Sequence, residues 1–332
     1  MKNRKLFTKI LGIGAYVPEK IVTNDDLCKI VDTTDEWIQT RTGIRERRIA
    51  AADQTTSDLC VCAARRAIEN AKIAADDIDL ILTGTITSDV AFPATSVFIQ
   101  RKLGLKDIPC FDYNVACSGL QYGIEIARSL IGLQSYKNIL LVCGDKLSAV
   151  TDWQDRSTCI LFGDGAGAIV LSATENEEEN SIIDVLLGAD GEHSEILILP
   201  AGGSREPTSR ESVNERKHFL KMSGRDVFRE AVKLMGNCAQ EILEKNGMSA
   251  NDIDFVVTHQ ANWRIIDAIR ERLGVPSEKV CVTIDKYGNT SASSCIIAID
   301  SLIKGNKIMK GSKILTVSFG AGLTWGAAIL KF

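Results

Sequence analysis

Nothing in the sequence is long and apolar enough to cross a bilayer, nothing is basic enough to follow a nucleic acid, and no cysteine pair carries metal-ligand spacing. The first absence excludes a transmembrane helix, which needs roughly 20 consecutive apolar residues. The start, MKNRKLFTKILGIGAYVP, resembles a secretion signal only briefly: Lys9 interrupts the apolar run and no small-residue cleavage site follows, so it reads as a first strand. The second absence, with a net charge of -4, removes any global attraction for a polyanion, so an acidic partner must be met by a local patch. The third absence shapes the reading of the ten cysteines, which fit reduced thiols in a cytoplasmic protein better than a disulfide framework or a metal site. Cys60 and Cys62 form a CxC on a helical pattern and read as packing.

What is present is an ordinary globular composition, 45% apolar and 25% charged, in 332 residues, a length that favours two domains or one duplicated unit. AIENAKIAADDIDLILTGT (67–85) is echoed by ILEKNGMSANDIDFVVTHQ (242–260), LGLKDIPCFDYNVACSG (103–119) more loosely by LGVPSEKVCVTIDKYGNTSAS (273–293), and KNILLVCGD by SKILTVSFG. Three echoes in one order point to two halves of an α/β design, residues 1–174 and 175–332, in which apolar strands alternate with amphipathic helices. The acidic run TENEEENS (174–181) belongs on a solvated turn at the join, and the polar stretch 201–217 reads as a lid or a mobile loop.

Only three histidines exist. His193 and His218 lie in polar, loop-like sequence, whereas His259 ends the apolar strand DFVVT, the kind of position where α/β folds gather functional groups. Cys117 holds the corresponding place in the first half, after CFDYNVA and before the helical pattern SGLQYGIEIARSLIG; helix-start amides and dipole there are expected to lower its pKa. Cys143 and Cys281 instead read as space-filling residues in apolar strands. Asn289, in YGNTSASS, sits at the strand-to-helix corner that the echo aligns with Cys117, where a cap or turn asparagine is the default. Taken together, three strand-end residues from two related halves converge where those halves meet. GIGAYVP and GDGAGA lack the full dinucleotide-binding arrangement and read as tight turns.

The stretches DEWIQTRTGIRERR, ACSG, DRSTCILFGDGAGAIVL, LPAGGSR, HQANWRII, YGNTSAS and FGAGLTWG, spread over nearly the whole chain, resemble the thiolase-fold condensing enzymes of the β-ketoacyl-acyl-carrier-protein synthase III family. The resemblance implies a five-layered αβαβα homodimer with a Cys117, His259 and Asn289 triad. It implies that Cys117 takes an acyl group, acetyl in the first instance, from a coenzyme A thioester, then meets malonyl-acyl carrier protein, giving a 3-oxoacyl-acyl carrier protein. His259 and Asn289 stabilise the enolate left by decarboxylation, and the amides of Cys117 and Ala321 form the oxyanion hole. Acyl-CoA enters as a substrate, so no cofactor and no metal are implied. Trp37, Arg41 and Arg156 match the adenine-side contacts of the coenzyme and Asn262 the pantetheine contact. Phe92 matches the residue that shapes the partner's acyl pocket, and Arg229, Arg264 and Arg272 the carrier-protein docking patch. Two positions depart from the family: Ala321 replaces a glycine in the loop Phe319-Gly320-Ala321-Gly322, and Glu271 interrupts the basic patch.

Rival readings stay open at this level. A papain-like cysteine hydrolase shares the Cys, His and Asn set but lacks the local cysteine sequence. A biosynthetic thiolase uses a second cysteine and another histidine motif, and an inactive partner subunit is disfavoured by the intact triad. Sister condensing enzymes that load a secondary-metabolite or dicarboxylic starter share every catalytic motif and differ only in pocket side chains.

Overall fold

The apolar strands assemble into two sheets in the computed structural model, which describes residues 5–332. The first sheet runs, in spatial order, Phe7–Tyr16, Gly165–Thr174, Asn138–Asp145, Leu80–Gly84 and Cys110–Tyr113. The second runs Ile182–Ala189, Thr324–Lys331, Lys313–Gly320 and Phe255–Thr258, and a single parallel bridge from Val256 to Val280 continues the order. Read through the sequence echoes, the two orders are the same. The main-sheet strands up to Thr174 enter one sheet and those from Ile182 the other, while Lys20–Thr23 and Glu46–Ile49 pair separately and the acidic run forms the exposed turn Glu177–Glu179 between the halves.

Helix character follows from where the apolar residues fall. Gly119–Gly132 buries Leu120, Ile124, Ala127 and Ile131, one stripe at helical spacing, while Ser293–Lys304 is apolar nearly all round and almost wholly buried. These two helices lie between the sheets, because one core cluster joins Leu82, Leu141 and Ile169 of the first sheet to Val257, Ile314 and Ala328 of the second through Ile124, Ile131, Ile296 and Ile299. Helix Thr56–Ala71 covers the outer face of the first sheet, and Gly224–Lys245 with Trp263–Leu273 that of the second. The result is the five-layered αβαβα arrangement.

Three local expectations are corrected. GIGAYVP is not a tight turn: Gly12 and Gly14 lie inside the first strand, where an added Cβ would stand 2.3 and 2.4 Å from backbone atoms of Ala67, so the glycines allow close helix-to-sheet packing. GDGAGA opens the strand Gly165–Thr174 in the same way, with Gly167 against Ile296. Cys281 is buried, yet it lies just past the isolated bridge at Val280 rather than in a strand, because Gln260 Oε1 accepts the amides of Thr283 and Ile284 and turns the chain there.

The polar stretch 201–217 is tied at its base, with Ala201 N donating to Lys217 O at 3.0 Å and the Arg216 guanidinium paired with buried Asp152. It contains a short helix, Arg210–Asn214, capped by Ser209. Leu199 before it and Leu220 after it line the cavity described next.

Candidate active site

Cys117, His259 and Asn289 border one cavity of about 510 Å³ whose walls are largely aliphatic, among them Leu147, Leu161, Leu197, Leu220 and Ile265. Each arrives by a different local device. The strand Cys110–Tyr113 ends early, Ala116 takes a left-handed φ of 48°, and the turn Ala116–Ser118 delivers the thiol at the start of helix Gly119–Gly132. The Tyr113 hydroxyl donates to Gly119 O at 2.8 Å and so pins that helix start to its own strand.

The dipole of that helix does not lower the Cys117 pKa. Burial pushes the thiol from its ordinary 9.0 up to about 12, offset in part by its contact with the Ser291 hydroxyl. A helix terminus contributes roughly 0.3 to 2 kcal/mol, whereas three pKa units correspond to about 4 kcal/mol. Desolvation outweighs the dipole, and Cys117 is a protonated thiol whose Sγ donates to Ser291 Oγ at 3.5 Å.

His259 follows the strand Phe255–Thr258 directly and is 3% exposed. Its amide donates to Val317 O at 2.8 Å, and its Nδ1 lies 2.7 Å from Ser294 Oγ. Burial lowers its pKa to about 4, so the ring is neutral at physiological pH. As pH falls from about 6.5 towards about 4, the unfolded chain takes up a proton that the folded chain refuses, so stability is full above this window and is lost within it. The loss approaches about 3 kcal/mol. We expect His259→Gln to lose less stability than the parent protein between pH 7 and pH 4.5, read by chemical denaturation at each pH.

Asn289 is held by backbone on both sides, its amide donating to Leu161 O at 2.8 Å and its carbonyl accepting from Gly163 N at 2.9 Å. Its side-chain Oδ1 accepts the Ser291 amide at 2.8 Å. The remaining amide nitrogen, Nδ2, is therefore the group left to donate.

The glycine-rich loop meets the cysteine turn closely. A Cβ on Gly320 would stand 2.8 Å from Cys117 N and 2.9 Å from Val115 O, so only glycine lets the two backbones touch here. Thr324 ties them together, its hydroxyl donating to Val115 O at 2.8 Å while Ser118 Oγ donates to Thr324 O at 3.1 Å. Ala321 borders the cavity and is not among the residues with positive φ, so its methyl group adds no backbone strain. We expect Gly320→Ala to cost about 1–3 kcal/mol by overpacking and to slow acyl transfer as well. Gly132→Ala is the control because its Cβ meets open space; equal behaviour of the two variants in thermal unfolding and acylation would contradict the close contact.

Half-buried Trp37 and exposed Arg41 and Arg156 form one group, with the two guanidinium carbons 4.9 and 4.8 Å from the indole ring centre. Asn262 lines the cavity while capping helix Trp263–Leu273 through its Oδ1 and donating Nδ2 to Arg41 O at 3.1 Å. Phe92 lies away from the cavity lining and is 86% exposed. Arg264 packs over Phe228, a cavity-wall residue, whereas Arg229 is paired with Asp226 and Glu230, and Arg272 is bonded to Asn237 and Gln240. Arg270, not Arg272, is the guanidinium that Glu271 meets. His193 and His218 do not line the cavity.

Sequence reasoning passed over five residues that hold the site: Asp145, Gln260, Ser291, Ser294 and Thr324. Ser291 and Ser294 stood within YGNTSASS and Gln260 beside His259, but hydroxyl and amide groups are legible as supports only once their partners are in place.

Two family profiles match the chain, "3-Oxoacyl-[acyl-carrier-protein (ACP)] synthase III" over residues 111–191 and its C-terminal counterpart over residues 243–332. The curated β-ketoacyl-[acyl-carrier-protein] synthase III of Caldanaerobacter subterraneus is 48% identical over 328 residues, 99% of this chain and 98% of that protein. The crystal structure of 3-oxoacyl-[acyl-carrier-protein] synthase III from Aquifex aeolicus is 42% identical and superposes with a TM-score of 0.90, covering 98% of this chain and 100% of that one. A priming β-ketosynthase of a polyketide biosynthetic pathway is 36% identical with a TM-score of 0.91, covering 99% and 97%.

Proposed function

The chain belongs to the β-ketoacyl-[acyl-carrier-protein] synthase III family, and on that premise we propose that Cys117, His259 and Asn289 divide the two half-reactions between them. The protein is a condensing acyltransferase that performs the initiating condensation of fatty-acid synthesis, and enzymes of this family use acyl-CoA and malonyl-acyl carrier protein. The observation that carries the division of labour is the polarity of the triad. Cys117 is the only cysteine on the cavity among the described residues, while His259 and Asn289 bring to it from the other half a neutral imidazole and an amide with only its Nδ2 left to donate.

In the first half-reaction the Cys117 sulfur attacks the acyl-CoA carbonyl and coenzyme A leaves as its thiol. The amides of Cys117 and Ala321, held together by the Gly320 contact, are the donors to the tetrahedral oxyanion. In the second, the malonyl thioester loses carbon dioxide and negative charge develops on its carbonyl oxygen. Ser294 Oγ accepts the Gln260 amide at 3.2 Å, which leaves its own proton for His259 Nδ1 and puts the imidazole proton on Nε2. That proton and Asn289 Nδ2 then stabilise the enolate, whose carbon attacks the acyl enzyme.

Trp37, Arg41 and Arg156 receive the adenine end of the coenzyme, the arginine parting from the indole to admit the base. Asn262 contacts the pantetheine arm at the cost of one of its present bonds. Arg264, next to the cavity wall, contributes most to carrier docking, because the charges of Arg229 are already answered by neighbours. A homodimer is supported by the exposed apolar surface at Val90, Phe92, Val97 and Phe111, the last on the edge strand Cys110–Tyr113. In it Phe92 reaches the partner's acyl pocket. Residues 1–174 and 175–332 are read as duplicated halves from their common strand order. Acyl-CoA is taken as substrate and not as resident cofactor. No helix among the described residues is long and apolar enough to cross a membrane. The reaction is placed in the cytoplasm, to which the free cysteines are suited.

Acetyl is the proposed starter. The width of the aliphatic cavity and the likeness to a polyketide-priming enzyme favour a second reading in which a larger acyl group is loaded. A screen of acyl-CoA starters of increasing length against malonyl-acyl carrier protein and malonyl-CoA decides both donor and acceptor. A 3-oxoacyl-acyl carrier protein supports the reading, and thioester hydrolysis without any condensation product overturns it.

A further inference from the structure

Within electrostatic reach of the nucleophile lies a buried carboxyl group that the reaction above does not use. Asp145 ends the strand Asn138–Asp145 and is 0% exposed. Its Oδ1 accepts from Thr85 Oγ1, Ile86 N, Thr87 N and Thr87 Oγ1, at 2.8 to 3.2 Å. Its Oδ2 is buried with no hydrogen-bond partner, a costly state for a carboxylate oxygen. Burial raises the Asp145 pKa, opposed by the Ile86 amide and by Ser291, whose hydroxyl accepts the Cys117 thiol at 3.5 Å and lies close to the same carboxyl. Ser291 also takes a left-handed φ of 56°, a conformation that disfavours side chains and suits glycine, yet serine is kept there.

We propose that Ser291 and Asp145 form a buried proton path that takes the Cys117 proton during acyl transfer, with Asp145 acting as the positioning and accepting carboxylate behind the serine. This rests on Cys117 being the acyl acceptor. As sulfur attacks the thioester carbonyl, its proton passes to Ser291 Oγ and the serine proton passes to Asp145 Oδ2. When the tetrahedral adduct collapses, the proton returns by the same route to the departing coenzyme A sulfur, so carboxylate, hydroxyl and charge are restored. The negative charge moves from Asp145 to the tetrahedral oxyanion and back, and the buried site never holds two anions. His259 is poorly suited to this task, because its Nδ1 is held by Ser294 Oγ and burial lowers its pKa to about 4.

The titratable groups around the pair come from every packed element: Cys60 on helix Thr56–Ala71, Cys143 on the same strand as Asp145, Cys295 on helix Ser293–Lys304, Asp89 in the loop before Thr95, and His259. Lys146, next in sequence, is turned away and donates to Ala51 O and Gln54 O. Burial disfavours the charged form of each cysteine and also raises the Asp145 pKa, which makes its carboxylate a stronger base towards the thiol proton.

The test is single-turnover acylation by acetyl-CoA, with the adduct mapped by mass spectrometry, on the parent protein, Ser291→Gly and Asp145→Asn. Ser291→Gly keeps the backbone amide that holds Asn289 and relieves the left-handed residue, so it folds even if Asp145→Asn does not. Both variants are expected to acylate about a hundredfold more slowly, within the range of general acid–base assistance. Condensation started from protein already acylated on Cys117 should stay within about threefold of the parent. In Asp145→Asn the pH midpoint for alkylation of Cys117 should also fall, since a neighbouring negative charge is gone. A thiol that becomes more acidic but reacts more slowly with the thioester is a signature that loss of structure does not produce. Unchanged or faster acylation in both variants overturns the proposal, as does an equal loss in both half-reactions. If the parent protein takes no acyl group on Cys117, the functional reading itself falls.

Discussion

Cys117→Ser is expected to abolish acyl transfer, by on the order of 10⁴-fold or more, while leaving the fold intact. The size follows from the chemistry of the site. An alcohol is a far weaker nucleophile than a thiol at equal protonation, and the walls around residue 117 are aliphatic, so nothing in the cavity compensates. Serine is also close in volume to cysteine, so the turn Ala116–Ser118 and its Thr324 tether should persist. The measurement is mass spectrometry after incubation with acetyl-CoA, with thermal unfolding as the control. Nine other cysteines are free in the chain, so the adduct must be mapped to its peptide. An acyl group on another cysteine, or a Cys117→Ser protein that still transfers acetyl at the parental rate, removes the nucleophile from the account.

His259→Ala and Asn289→Ala should fail at the other half-reaction. Each is expected to lower decarboxylation of the malonyl thioester by roughly 10²- to 10³-fold, the scale on which one preorganised donor to a developing oxyanion is worth. Both should still accept acetyl on Cys117. The double variant should lose less than the product of the two single losses, because both donors serve one oxygen and the second has little left to stabilise once the first is gone. Asn289→Asp is a sharper probe than alanine. It retains the Oδ1 that accepts the Ser291 amide but replaces the donor with a second acceptor, so it should be at least as damaging as alanine. Acylation that disappears in His259→Ala would mean the imidazole serves the thiol and not the enolate, and the roles would need to be exchanged.

The periodicity of the chain made much of the architecture legible. Repeated helix, loop and strand units at 67–85 and 242–260 announced two related halves of an α/β design, and the sheets have the same strand order. Where reading failed, it failed on contacts between residues far apart in sequence. Gly12 and Gly14 look like turn residues in a local window, yet they are strand residues because a helix more than fifty positions later presses on them. The strand expected around Cys281 shrank to one bridge because Gln260, from another element, captures the next two amides.

The site shows the same division. Cys117 and His259 were legible because strand ends preceding helices are where an α/β fold presents side chains, whereas Asn289 follows the short helix Ile284–Tyr287 and meets only an isolated bridge to Phe162, so the strand-to-helix corner expected there is not formed. The chain by itself therefore singled out the three residues that the fold brings to one cavity. The charge state in which they wait was decided by tertiary structure alone. A helix start favours a thiolate in any sequence window, but the sheets and central helices around half-buried Cys117 thin its hydration, and the cost of a poorly solvated anion outweighs the dipole. The same enclosure keeps His259 neutral and leaves one oxygen of Asp145 without a partner, neither of which any spacing of residues announces.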